Sequence, residues 1–248
     1  MLEVLTSKDF SLTQKIRWLR LLLRAGFDRR FDDLVGVIYG LIPKDKLVVV
    51  DVGANVGNFT RSCIKQKNKT NLVIAVEPSQ YVFPILEFWS NLWSSYDIQI
   101  ICKKYILSDR VGMRKLHTPV KDSGSLRVGL AYTGRRKHEN VYSESVQVLK
   151  LDEMLIEHNI SSVDLVKIDV EGAEENVLNG ALRLIYEIRP IWFLELDDSR
   201  AKTMGNSSSR IFKRMIDAGY DAYLFNGNSE IVKVGSIRGE NNYLFIPN

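Results

Sequence analysis

The sequence predicts an α/β fold. A seven-stranded, mostly parallel, doubly wound sheet carries helices on both faces, and its last strand pair is antiparallel. Three observations predict it. Short unbroken apolar runs recur, such as Leu47–Val52 (LVVVDV) and Leu72–Val76 (LVIAV), and runs of this kind suit parallel strands buried on both faces. Helix-length segments separate them, the alternation of a doubly wound sheet. Finally, Tyr220–Phe225 and Asn242–Ile246 follow one another with no helix between, which implies that they pair antiparallel.

Along the chain, residues 11–41 read as two helices broken near Gly26. Within the first, Ile16–Leu23 (IRWLRLLL) is apolar but carries Arg17 and Arg20, with Arg24 beyond. It reads as an amphipathic helix that packs on the body, a reading preferred to membrane contact. Residues 1–41 thus form an N-terminal helical segment, and 42–248 the main domain. After the first strand a helix runs over Val56–Lys67. Ser79 is placed to cap a helix over Tyr81–Ser94. In that helix Phe88, Trp89 and Trp93 recur at helical spacing and read as packing residues. Ile98–Cys102 is the third strand. Residues 110–150 break the alternation and read as an inserted hairpin and loop, with strand-like pieces at Arg114–His117 and Val146–Leu149. Leu151–His158 is helical, Asp164–Val170 (DLVKIDV) the fourth strand, Glu174–Ile188 a helix and Pro190–Leu196 (PIWFLEL) the fifth strand. A helix over Ser208–Ala218 stops at Gly219.

Composition removes several function classes. The chain is 45% hydrophobic and 26% charged, with a net charge of +4, too small to argue for nucleic acid. No apolar run reaches the length of a membrane span. The N-terminus lacks the order of a secretory signal, so a cytoplasmic location is expected. Cys63 and Cys102 have no metal-like spacing and read as reduced thiols. No histidine pair has zinc spacing, so no metal ligands are assigned. A homodimer is left open.

The strongest local signal is Asp51-Val-Gly-Ala-Asn-Val-Gly57, directly after a buried strand. Glycines at 53 and 57 let the backbone turn tightly and approach a ligand. Asp51 at the strand end can accept from an ammonium group. Twenty residues after Gly57, Glu77 ends the second strand, where a carboxylate can take both hydroxyls of a ribose. A nucleoside cofactor follows. A dinucleotide site needs G-x-G-x-x-G for its pyrophosphate, whereas position 55 is Asn and the spacing is G-x-x-x-G. S-adenosylmethionine, which has no phosphate, fits better than a nicotinamide cofactor. Ser108 and Asp109, at the end of the third strand, read equally as an adenine contact or a solvated turn.

A second signal is Val163–Ala181, VDLVKIDVEGAEENVLNGA. Together with DVGANVGNFT, and with further matches through VEPSQYVFPILEFWSN, the turn at 107–109, Asp122–Leu126, Leu149–Glu153 and Arg189–Glu195, the chain resembles the FkbM methyltransferases over roughly 36–248. The resemblance implies a Rossmann-like class I methyltransferase fold, S-adenosylmethionine as donor, and a hydroxyl on a sugar, polyketide or other small molecule as acceptor. It places the cofactor loop at Asp51, Gly53, Asn55 and Gly57 with Glu77 for the ribose, and the active-site end of the fourth strand at Asp169 and Glu171. A nicotinamide-dependent oxidoreductase and a non-catalytic relative that keeps the cofactor site are the alternatives.

Methyl transfer to a hydroxyl needs alignment, a dry site and a group that takes the proton. Asp169 and Glu171 are the candidate catalytic acids, with Glu195 at the end of the fifth strand as a third, its pKa expected to rise with burial. A divalent cation between these carboxylates is one further reading. Glu174 reads first as a helix N-terminal acid. Lys167 shares a strand face with Asp169, and the pair reads equally as structural or functional. The basic run Gly134–His138 reads as a solvated loop, or else as a holder of an anionic acceptor.

Overall fold

The computed structural model describes residues 2–66, 69–133, 140–225, 230–239 and 241–248. In chain order its elements are α1 (Leu2–Thr6), α2 (Leu12–Ala25), α3 (Asp32–Leu41), β1 (Leu47–Val52), α4 (Asn58–Lys65), β2 (Thr70–Val76), α5 (Phe83–Trp93) and β3 (Gln99–Lys103). There follow β4 (Ile106–Leu107), β5 (Gly112–Pro119), β6 (Tyr132–Thr133), β7 (Val141–Leu149), α6 (Leu151–Glu157), β8 (Leu165–Ile168) and α7 (Glu174–Asn179). The chain closes with β9 (Ile191–Leu196), α8 (Asp198–Thr203), α9 (Ser208–Asp217), β10 (Tyr220–Phe225), β11 (Ile231–Val234) and β12 (Asn241–Pro247).

The main sheet has eight strands in the order β11-β10-β12-β9-β8-β1-β2-β3. From β9 to β3 all neighbours are parallel. β12 inserts between β10 and β9 and is antiparallel to both. The count of seven is corrected by β11, an edge strand of four residues paired with β10. Its run, Ile-Val-Lys-Val, is too short and too exposed to stand out as a strand by pattern. β1 has β2 on one side and β8 on the other, so the strand order reverses there. In an open α/β sheet this is where a crevice opens at the carboxyl ends of the strands.

Apolar side chains leave both faces of the central strands, as their unbroken runs require. Val50, Val52, Val166, Ile168 and Trp192 pack with α6, α7 and α9 on one face. Val49, Val73, Leu165 and Phe193 pack with α3 and α4 on the other. Three local expectations are corrected. The helix expected over Glu174–Ile188 is broken at Gly180 into α7 and a π-helical turn, Leu184–Ile188. α8 lies where no helix was read. Ser79 does not cap α5, which starts after Val82 with Pro84 in its first turn and no side-chain cap.

The insertion folds as a second sheet, in the order β4-β7-β5-β6. β5 and β7 pair antiparallel along their length, from Gly112 opposite Val148 to Pro119 opposite Val141. The basic run at 134–138 lies outside the described residues.

Of the N-terminal helices, α2 lies on α5, whereas α3 packs on α4. A capping box of Ser11 and Gln14 starts α2. Trp18 is fully buried, and its indole N–H donates to the Tyr81 carbonyl at 2.8 Å. Trp89 on α5 donates to the Leu22 carbonyl at 2.8 Å and stacks on Trp93 with ring centroids 5.6 Å apart. Gln14 Nε2 donates to the Gly124 carbonyl at 2.9 Å, tying α2 to the inserted region. Truncating Trp18 to Ala leaves a cavity and an unpaired carbonyl. The expected cost is about 3–5 kcal/mol, against a much smaller loss for Trp18→Phe, measured by urea denaturation.

Candidate active site

A cleft with about 770 Å³ of empty space, its open mouth included, lies at the carboxyl ends of β1, β2 and β8. Gly53 and Asn55 after β1, Glu77 and Pro78 after β2, and Asp169 and Glu171 after β8 form one side. Tyr105–Leu107 and residues Val128, Gly129 and Ala131–Thr133 of the insertion form the other, mostly apolar side.

The loop after β1 is built by backbone demands. Gly53 has φ +73°, and a Cβ there would sit 1.9 Å from the Asp169 carbonyl oxygen, so only glycine lets the loop lie against the end of β8. Asn55 is also left-handed, at φ +52°, a conformation that asparagine tolerates better than most residues. Its N–H donates to Glu77 Oε2 at 3.0 Å, and the Ser79 N–H donates to Oε1 at 2.9 Å. Each Glu77 oxygen therefore keeps a second acceptor position. Burial pushes the Glu77 carboxyl up to about 7, against the opposing pull of these two N–H donors.

Beneath the loop lies a buried ion pair. Asp51 is fully buried, and its Oδ2 accepts from the Thr60 hydroxyl at 2.8 Å and the Thr60 N–H at 3.2 Å. Lys167 Nζ is 3.1 Å from Asp51 Oδ1 and donates to the Gly53 carbonyl at 2.7 Å. Asp169 Oδ2 is 3.7 Å from the same ammonium. Burial alone would lower the pKa of Lys167; the carboxylates of Asp51 and Asp169 outweigh it and raise the pKa instead.

The turn after β8 carries the second group. Glu171 has φ +58° and Gly172 φ +98°. A Cβ on Gly172 would meet the Arg200 carbonyl carbon and oxygen at 2.6 Å, so the turn presses directly on α8. That contact brings the Arg200 guanidinium to Glu171 at 2.8 Å, to Asp197 at 2.7 Å and to Glu195 at 3.4 Å. Glu174 accepts the N–H groups of Val170 and Gly172, each at 3.1 Å, and so holds the turn. Burial, assisted by Asp169 and Glu195 and opposed by Arg200, pushes Glu171 up to about 8. Burial and the adjacent Asp169 push Glu195 up to about 7.

The site can thus take hydroxyl groups at Glu77, cover an apolar ring with the insertion, and offer carboxyls that change charge near neutrality. The profile of the Methyltransferase FkbM domain matches residues 51–222. The chain belongs to the FkbM methyltransferase family. Among solved structures, the FkbM methyltransferase from Methylobacillus flagellatus superposes with a TM-score of 0.56 at 15% identity over 94% of this chain, and so shares the fold. This chain spans 59% of that structure's length. Magnesium protoporphyrin IX methyltransferase from Synechocystis, solved with bound SAM, has a TM-score of 0.48 at 15% identity, covering 94% of this chain and 90% of its own. No curated protein matches the chain.

Against the FkbM motifs, the structure gathers Gly53, Asn55, Glu77, Asp169 and Glu171 on the cleft. It does not bring the others there. Asp51 is bonded to Thr60, paired with Lys167, and does not line the cleft. Gly57 opens α4 at φ +92°, under the side chains of Leu86 and Trp93. Ser108 bonds Asp109, which pairs with Arg110 and Arg114, and neither residue lines the cleft. Tyr105, Ile106 and Leu107, the last two in β4, line it instead. Glu195 stands behind the lining, between Asp169 and Arg200. The cation bridging Glu171 and Glu195 is Arg200, and among the described residues no group of three or more His, Cys, Asp or Glu is arranged to hold a metal. Sequence reasoning missed Arg200; the only signal was an arginine shortly after the fifth strand. It also missed the apolar wall of the insertion.

Removing one partner of the buried pair tests its weight. Lys167→Met leaves Asp51 as an uncompensated buried charge and should cost about 3–5 kcal/mol. The double variant Asp51→Asn/Lys167→Met should be less destabilised than the sum of the two single changes, as read by a denaturation cycle.

Proposed function

We propose that the chain is an S-adenosylmethionine-dependent O-methyltransferase acting on a hydroxyl of a sugar, polyketide or other small molecule. The observation that carries this reading is Glu77, a carboxylate on the cleft at the tip of β2 with spare acceptor positions, beside the phosphate-free loop at Gly53 and Asn55. The family membership supports the reaction type. The lining fits the cofactor: Glu77 would hold the ribose hydroxyls, and Ile106, Leu107 and Tyr105 would cover the adenine. When bound, S-adenosylmethionine supplies a methyl group on a positively charged sulfur, already activated for displacement.

The chain's own residues would do the rest. Lys167 neutralises Asp51 and pins the Gly53 carbonyl, which holds the loop in place. Asp169 orients the acceptor at the mouth of β8. Glu171 takes the hydroxyl proton. The insertion closes the apolar side and keeps water away from the reacting atoms. Arg200 and Glu195 hold Glu171 in its left-handed turn and set its charge.

Calorimetry with S-adenosylmethionine and its demethylated product tests the cofactor. Binding is expected, with Glu77→Gln weakening it by about 10- to 100-fold, the loss of a charged acceptor worth about 1.5–3 kcal/mol. Absence of binding to either compound overturns the reading, and binding without turnover across a panel of hydroxyl acceptors would favour a non-catalytic relative. A base must be deprotonated to act. With Glu171 at about 8, kcat should therefore rise with pH through that value and level off above it. Glu171→Gln should remove this limb and lower kcat by about 100-fold or more while leaving cofactor affinity near that of the parent.

A further inference from the structure

The helix α2 has two apolar faces, and only one of them is used. Trp18, Leu22 and Ala25 are buried against the body. Leu12, Ile16, Leu19 and Leu23 form a second stripe at the spacing of one helix face and are exposed by 74, 44, 42 and 68%. Phe27, one further turn along, is exposed by 76%. The cations of α2 are Lys15, Arg17, Arg20 and Arg24, and its sequence LTQKIRWLRLLLRA contains no acid. At 100° per residue Lys15 falls on one edge of the exposed stripe, and Arg20 and Arg24 on the other. Among the described residues Arg20 and Arg24 make no ion pair, and both are exposed.

An apolar stripe edged only by cations has one complementary partner: a surface that is apolar beneath and anionic above. We propose that α2 is a monotopic docking helix for an anionic lipid bilayer, with Leu12, Ile16, Leu19, Leu23 and Phe27 entering the acyl boundary and Lys15, Arg20 and Arg24 meeting the lipid phosphates. A second copy of this chain fits the stripe less well, because α2 against α2 would bring like charges together at both rims. A soluble monomer gains nothing from a row of leucines in water. No helix among the described residues is long and apolar enough to cross a membrane, so the contact is with the surface only. The docking helix is also bonded to segments next to the cleft: Gln14 donates to the Gly124 carbonyl, four residues before Val128, and Trp18 donates to the carbonyl of Tyr81, three residues beyond Pro78. Docking would therefore hold the cleft close to the headgroups.

Flotation of the full chain with vesicles tests this. Binding is expected to vesicles of phosphatidylcholine containing about 30 mol% phosphatidylglycerol and not to phosphatidylcholine alone, and it should weaken as salt rises. Leu19→Glu/Leu23→Glu, both on exposed positions, should cut the partition coefficient about tenfold or more with an unchanged circular dichroism spectrum and melting temperature. Arg20→Gln/Arg24→Gln should weaken binding and flatten its salt dependence. Failure to float with the anionic vesicles overturns the proposal. So does anionic binding that Leu19→Glu/Leu23→Glu leaves intact, which would reflect net charge alone. A dimer in light scattering that this double variant dissociates, without vesicle binding, would assign the stripe to a second copy instead. None of these readouts uses cofactor or turnover, so they stand apart from the methyltransferase reading.

Discussion

The architecture of the cleft depends on one buried contact, the ammonium of Lys167 on the carboxylate of Asp51. These residues lie on adjacent parallel strands, β1 and β8, at the point where the strand order reverses, and in register with each other. A charge at that depth is tolerated only if another answers it and the remaining hydrogen-bonding positions are filled. Thr60 from α4 donates twice to Asp51 Oδ2, and Lys167 donates to the Val52 and Gly53 carbonyls. The same ammonium therefore sets the direction in which the loop after β1 leaves the sheet. It also lies 3.7 Å from Asp169 Oδ2, just past the end of its own strand.

The acids around the cleft divide by environment. Glu77 is held by two backbone N–H groups, which favour its charge, but burial wins and its carboxyl titrates near neutrality. Glu171 has a guanidinium at contact distance and is still pushed higher, because burial outweighs that cation and Asp169, Glu195 and Glu174 crowd it further. One arginine shared among Glu171, Glu195 and Asp197 cannot neutralise all of them. The left-handed Glu171 is strained for a residue with a Cβ, and such strain persists where surrounding structure over-determines it. Here the Glu174 cap on one side and the α8 backbone on the other do so.

The insertion and the N-terminal helices turn a general sheet into a particular pocket. The second sheet supplies the apolar wall, and α2 braces it from outside through Gln14 and Gly124. A change in this layer would alter the apolar wall of the cleft without touching the loop at Gly53.

The central sheet was legible in the sequence because strands buried on both faces are written as unbroken apolar runs, and no other soluble element reads that way at that length. The G-x-x-x-G loop and the acid at Glu77 were legible because backbone turns and strand ends restrict residue types locally. The edge strand β11 was not, since four half-exposed residues carry no pattern, nor was the break at Gly180. What only the tertiary structure decided was which polar groups face the ligand space. Asp51 and Glu77 both stand at strand ends as carboxylates, yet one is consumed by a lysine from β8 and the other is presented to the cleft. Arg200 reaches Glu171 because Gly172 lets two backbones touch. Both outcomes depend on contacts between strands and helices far apart in the chain, and a linear pattern does not record which distant side chain will occupy a given pair of oxygens.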